Sequence, residues 1–326
     1  MESPAIQEGI RNQRSSTRER ILGALTLCLI FTAGASFSWT YLTDVEQPLP
    51  EAQVAAAEIP QQKHLTTEVF SDISLKAKSA IMVDETTDTV LYELNPDVQL
   101  PLASLTKVPL VLVVKEALAA DTIITMPRGM AQFSAGTRWK LADIIDFTLA
   151  ISSNQGANVL AATANDAIHA AFPDAPKDTA TLWRMNELAR ELGLDHTYFL
   201  NANGLDDSPT QSGTYGSARD MATLFAYAAA TTPGTFAATT RQSFLIESVD
   251  GARATAINTD EALPSIPGMV MGKTGYTDLA GGNLAVVFNE SGHRIVAVVL
   301  GSTQTGRFDD MKKLVALSPE AIAQEK

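Results

Sequence analysis

Residues 101–120 read PLASLTKVPLVLVVKEALAA, and this stretch decides both the fold and the chemistry to look for. From Val108 onward apolar residues recur at three- and four-residue spacing, the period of a core helix. Pro101 and Ala103 lead into it, so Ser104 is expected at its first turn, where backbone N–H groups lack helical partners and the dipole is positive. Lys107 follows three residues later, which puts hydroxyl and ammonium on one face. A lysine becomes a base only when burial or a neighbouring cation lowers its pKa, and it can then deprotonate a serine nucleophile. Alone, S-x-x-K carries little weight, because a serine heading a helix is often just a cap.

Outward from that helix the pattern changes to β. Upstream, AKSAIMVDETTDTVLYEL (77–94) has two apolar, β-branched runs around a polar Asp84–Asp88 turn, a hairpin signal. Downstream, LADIIDFTLAISSNQGANVLAATANDAIHAA (141–171) reads as one or two helices. In LWRMNELARELGL the residues Leu182, Met185, Leu188, Ala189 and Leu192 form one helical stripe, with Gly193 as the stop. The chain returns to β with MVMGKTGYTD, GGNLAVVF and HRIVAVVLG and closes on a helix from about Phe308. Strands at both ends with helices between them predict an α+β domain whose sheet joins the terminal strands.

Two further motifs accompany the first. Ser152-Ser153-Asn154 sits in a break after an apolar segment: either a serine-capped helix start, or a proton-relaying hydroxyl beside a substrate-orienting amide. Gly272-Lys273-Thr274-Gly275-Tyr276-Thr277 lies on a predicted strand, where glycines signal a bulge or a close backbone approach to a ligand. Lys273 and Thr274 there offer a cation and a hydroxyl to a carboxylate; a plain loop is the other reading. S-x-x-K, S-x-N and K-T-G in that order, on helix, loop and strand, form the combination of β-lactamases and penicillin-binding proteins.

The chain resembles the low-molecular-weight D-alanyl-D-alanine carboxypeptidases, the S11 serine peptidases, over about residues 72–315. The likeness extends to blocks without evident catalytic duty, among them MNELARELGLDHTYFLNANGLDD and YGSARDMATL. It implies a β-lactamase/transpeptidase-like fold, an antiparallel sheet with a helical subdomain. It implies Ser104 as acylated nucleophile, Lys107 as general base, and Ser152 and Asn154 as the opposite wall of the cleft. Lys273 and Thr274 then hold the terminal carboxylate of peptidoglycan D-Ala-D-Ala stem peptides, beside Gly275 and Tyr276. The N–H groups of Ser104 and Tyr276 form the oxyanion hole, and β-lactams are the expected covalent inhibitors. Departures from the family are Gln155 where Asp is frequent and a short spacing of 48 residues between Ser104 and Ser152, and the C-terminal β-domain of some relatives is not expected here.

Within that resemblance a D,D-endopeptidase stays open beside the carboxypeptidase, followed by a β-lactamase and an inactive wall-binding module. A β-lactamase needs a base for deacylation, and Glu187 is a superficial candidate, but it falls in a helical stripe with Glu191 rather than Asn four residues on.

Composition narrows the rest. Net charge is −13, and no dense basic stripe marks a nucleic-acid partner. The single cysteine, Cys28, lies in an apolar run, and the four histidines are scattered without an H-E-x-x-H pair, so neither metal nor cofactor is expected. Residues 21–43 contain no charge and as a helix would span roughly 33 Å, enough to cross a bilayer core. Arginines precede that run and Asp44 and Glu46 follow it, so residues 1–20 are expected in the cytoplasm, 21–43 as a signal-anchor and the remainder outside. A cleaved signal peptide is the alternative. Residues 44–67, with Pro48, Pro50 and Pro60, read as a linker, and 68–326 as the catalytic domain.

Overall fold

The computed structural model describes residues 63–64, 68–232 and 234–324. The predicted cytoplasmic segment, signal-anchor and nearly all of the linker lie outside them. No helix among the described residues is long and apolar enough to cross a membrane.

The predicted hairpin forms as β1 (Ser79–Asp84) and β2 (Thr89–Leu94). Asp84 closes its turn by accepting the Thr86 N–H at 2.8 Å. The three late β runs form β3 (Met269–Thr277), β4 (Gly281–Glu290) and β5 (His293–Ser302). With the short edge strand Lys63–His64 they make one antiparallel sheet in the order Lys63–His64, β2, β1, β5, β4, β3. Thus the first long strand lies beside the last, Leu300 opposite Ser79 and Ile295 opposite Asp84, as the sequence predicts.

Both faces of this sheet are covered, which is why β4 and β5 read as continuous apolar runs rather than as alternation. Val296, Val298 and Leu300 point into the larger core on the helical side. Ile295, Ala297 and Val299 point to the other core, with Phe308, Met311 and Leu314 of the closing helix α6 (Gly306–Gln324).

Between the β runs lie α1 (Lys107–Ala117), α2 (Leu141–Ala150), α3 (Asn154–Ala171), α4 (Ala180–Glu191) and α5 (Ala218–Thr231). Every residue of α1 from Lys107 to Val114 is buried, so its apolar surface runs all round, as suits a helix in the middle of a core. Helix α4 ends as predicted at Gly193, whose φ of +67° fits a Schellman motif. The Gly193 N–H reaches Arg190 O and the Leu194 N–H reaches Ala189 O. The segment 141–171 resolves into two helices, with the break at residues 151–153.

Candidate active site

The expected nucleophile lies one step before the predicted helix. Ser104 occupies a 3₁₀ turn, Ala103–Thr106, and Lys107 is the first residue of α1. Ala103 has φ +50°, a left-handed conformation that costs an L-residue about 1–2 kcal/mol and here bends the chain just ahead of the serine. Two glycines allow the surroundings to close on this turn. A Cβ on Gly204 would stand 2.1 Å from Ala103 O, and one on Gly275 would stand 2.9 Å from Leu102 O and 3.1 Å from Ser104 N. The glycine of K-T-G therefore serves the approach of the strand to the Ser104 turn.

Lys107 is fully buried, and its Nζ has three partners: Ser104 Oγ at 2.7 Å, Asn154 Oδ1 at 2.8 Å and the Asn203 carbonyl at 2.6 Å. None of them is a carboxylate. Burial alone pushes the lysine down from 10.5 to about 7. An uncharged amine donates two hydrogen bonds and accepts one. With Asn154 Oδ1 and Asn203 O taking the two protons, the lone pair is left for the Ser104 hydroxyl.

The S-S-N segment divides between the cap of α3 and the site. Ser153 is the cap of α3, its Oγ accepting the Gly156 N–H at 3.0 Å. Ser152, at φ +60°, is turned into the site instead, and its Oγ accepts from Lys273 Nζ at 2.8 Å. Asn154, expected to orient substrate, spends its oxygen on Lys107.

Lys273 and Thr274 lie on β3, as predicted. Lys273 also donates to the Thr274 carbonyl at 2.8 Å. Burial first, then the charges of Lys107 and Arg307, push Lys273 well below its ordinary value, with Asp260 opposing. A bound carboxylate adds an opposite charge and works in the same sense as Asp260. Thr274 Oγ1 is 2.6 Å from Thr259 Oγ1. Strand β3 ends the sheet, and the Gly272 N–H leaves it for Thr239 Oγ1 at 3.0 Å. By the alternation of a strand the Tyr276 N–H leaves on that same edge, and the Tyr276 ring is 43% exposed.

Three participants escape the motifs. Asn203 acts through its carbonyl, and a backbone atom leaves no side-chain signature. Thr259 belongs to no motif. Arg307, at the head of α6, donates from Nη1 to the Gly275 carbonyl at 2.8 Å and acts electrostatically on Lys273. Glu187 is on α4, as expected, and is ion-paired with Arg190 one turn on. No described residues cluster as a metal site of three or more His, Cys, Asp or Glu.

With the three motifs gathered around one serine, the family follows. The S11 peptidase family, described as D-alanyl-D-alanine carboxypeptidase, matches residues 65–304. The chain belongs to this family. It is similar to the D-alanyl-D-alanine carboxypeptidase DacF of Bacillus subtilis, 29% identical over 250 residues, 72% of this chain and 59% of that protein. It is also similar to DacA of Escherichia coli K12, 28% identical over 257 residues, 74% of this chain and 60% of the relative. The chain thus spans about three-fifths of the length of these two curated relatives. Among solved structures it resembles penicillin-binding protein D2 of Listeria monocytogenes in its ampicillin-bound form, with TM-score 0.63 and 26% identity. That likeness covers 76% of this chain and 98% of the other. A mutant of the Streptomyces K15 DD-transpeptidase, 21% identical with TM-score 0.65, shares the fold over 77% of this chain and 99% of that one. The S11 fold accounts for the blocks 185–207 and 215–224 that no motif explains. The first delivers the Asn203 carbonyl to Lys107, and the second opens α5 on the helical side of the sheet.

Proposed function

We propose that the chain is a serine D-Ala-D-Ala carboxypeptidase acting on peptidoglycan stem peptides in cell-wall remodelling. The observation that carries this reading is Lys107 Nζ at 2.7 Å from Ser104 Oγ, buried among neutral acceptors. Family membership and the carboxypeptidase relatives support the substrate class. The Ser104 hydroxyl proton passes to Lys107 as Oγ adds to the carbonyl of the penultimate D-Ala. The N–H groups of Ser104 and Tyr276 receive the developing oxyanion. Lys273 and Thr274 hold the terminal carboxylate, with Arg307 behind them. The C–N bond breaks as the leaving nitrogen takes a proton relayed through Ser152, and water then hydrolyses the acyl-enzyme.

Residues 21–43 are the proposed uncleaved membrane anchor and 44–67 the linker, with the domain from 68 outside the cytoplasmic membrane. The charge-free apolar run, the arginines before it and the acidic residues after it support this orientation.

A β-lactam places a strained acyl group where Ser104 can attack, and its opened ring stays tethered. No described carboxylate contacts Ser104 or Lys107, and Glu187 is committed to Arg190. Deacylation of the adduct is therefore expected to be much slower than acylation. Intact mass spectrometry after incubation with a penicillin should show one penicillin-sized increment on the Ser104 peptide, and none in Ser104→Ala. Rapid penicillin turnover without an accumulating adduct would sink the carboxypeptidase reading in favour of a β-lactamase.

A further inference from the structure

Helix α3 supports the base twice from one face. Asn154, its first residue, bonds Lys107 directly. Asn158, four residues on and so one turn along that face, accepts from Asn203 Nδ2 at 2.9 Å. Asn203 is the residue whose carbonyl takes the other Lys107 proton, at 2.6 Å. Its side-chain oxygen is occupied as well, accepting the Leu205 N–H at 2.8 Å. Both ends of the Asn203 amide are thus used to fix the backbone from which its carbonyl projects. Asn201 tightens the same loop by accepting from Gly204 N at 2.8 Å.

We propose that Asn158 is a positioning residue for catalysis: by gripping the Asn203 side chain it holds the Asn203 carbonyl against Lys107 and so aims the lysine lone pair at Ser104. This rests on the serine-acylation reading above. The proton moves from Ser104 Oγ to Lys107 Nζ, and Asn158 touches neither atom.

The residue type matters as well as the bond. An aspartate at 158 would keep an acceptor for Asn203 Nδ2 but add a negative charge near the base. The charged groups around it are few. On α3 no charged residue precedes Asp166, Lys107 itself faces from α1, Lys273 faces Lys107 from β3, and Asp206 and Asp207 lie on the Asn203 loop. Asp206 is engaged with Thr277 Oγ1 and Asp207 with Asn201 Nδ2. A carboxylate at 158 would therefore act on a base that no described carboxylate touches, and would favour its protonated form.

The test is the acylation rate of the full-length protein by a penicillin, measured from about pH 5 to about pH 9, for wild type, Asn158→Asp and Asn158→Ala. Asn158 is exposed, so both variants should keep the wild-type thermal midpoint. Asn158→Asp should move the acid limb up by about half to one pH unit while keeping most of the plateau rate. Asn158→Ala should lower the plateau about tenfold or more and leave the limb where it is. A limb unmoved in Asn158→Asp, or a wild-type plateau in Asn158→Ala, overturns the inference while Ser104 acylation stands. Absence of any adduct on wild type overturns the acylation reading and this inference with it.

Discussion

Thr259 and Thr274 meet hydroxyl to hydroxyl at 2.6 Å, so the threonine of K-T-G is oriented from behind by a residue fifteen positions earlier. The Thr259 N–H donates to the Ala150 carbonyl at the end of α2, which anchors the contact to the helical half. Removing one partner of a buried hydrogen bond costs about 1–3 kcal/mol. Thr259→Val should therefore reduce kcat/KM for carboxylate-bearing peptides several-fold. Neutral ester analogues should be nearly unaffected, and steady-state kinetics on the paired substrates reads the difference.

Lys107 and Lys273 share a charge but not a task. Lys107→Ala removes the group beside the nucleophile, and acylation should fall about a hundredfold to ten-thousandfold for every substrate. Lys273→Ala removes the buried amine proposed to hold the substrate carboxylate and should hurt carboxylate-bearing substrates far more than neutral esters. Equal losses in both variants on both substrate types would refute the division.

The pH profile follows from the burial of Lys107. Its proton is held in the fold only below about pH 7, and only the uncharged amine can accept from Ser104. Acylation by a neutral ester should thus rise about tenfold per pH unit up to about 7 and then level. Stability carries the same sign. The unfolded chain binds this proton more tightly, so from this group alone stability rises with pH between about 7 and about 10.5, and the penalty is full below that window. Stopped-flow acylation and denaturant titrations at several pH values check the two halves separately.

Glycine substitutions should separate close approach from backbone strain. Gly129, at φ +88°, has open space where a Cβ would go, so Gly129→Ala should cost only the left-handed penalty of about 1–2 kcal/mol. Gly204→Ala adds contact with the Ala103 carbonyl at 2.1 Å and should lower the thermal midpoint much further. Gly275→Ala presses on Leu102 O and Ser104 N from a conformation with ordinary φ. Its loss should appear mainly as slower Ser104 acylation, with a smaller shift in the midpoint.

What the sequence made legible was whatever a side chain or a period advertises. The stripe of α4 with its Gly193 stop was readable because apolar residues recur at helical spacing, and the hairpin at 79–94 and the three late strands because apolar, β-branched residues run together between turns. Ser104, Lys107, Ser152, Asn154, Lys273 and Thr274 were readable because their chemistry is in the side chain, and the structure gathers them. Asn203 was not, because it contributes a carbonyl that any residue could supply. Thr259 and Arg307 were not, because their value depends on a packing partner distant in sequence. Ser104 lies in a 3₁₀ turn instead of the helix proper because Ala103 turns left-handed just before it, and nothing in ASLTK signals that.

The pairing of β1 with β5 orders events during synthesis. Ser104 leaves the ribosome 169 residues ahead of Lys273, and the strand that must lie beside β1 comes later still. At about 5–20 residues per second this interval lasts on the order of ten to thirty seconds. Throughout it the nascent chain carries Ser104 and Lys107 without the strand that brings Gly275 against Ser104 and Lys273 near Lys107. The sheet is complete only when the last long strand has joined β1. A chain released before β5 was made would leave β1 with one edge unpaired, the kind of edge that recruits a second strand.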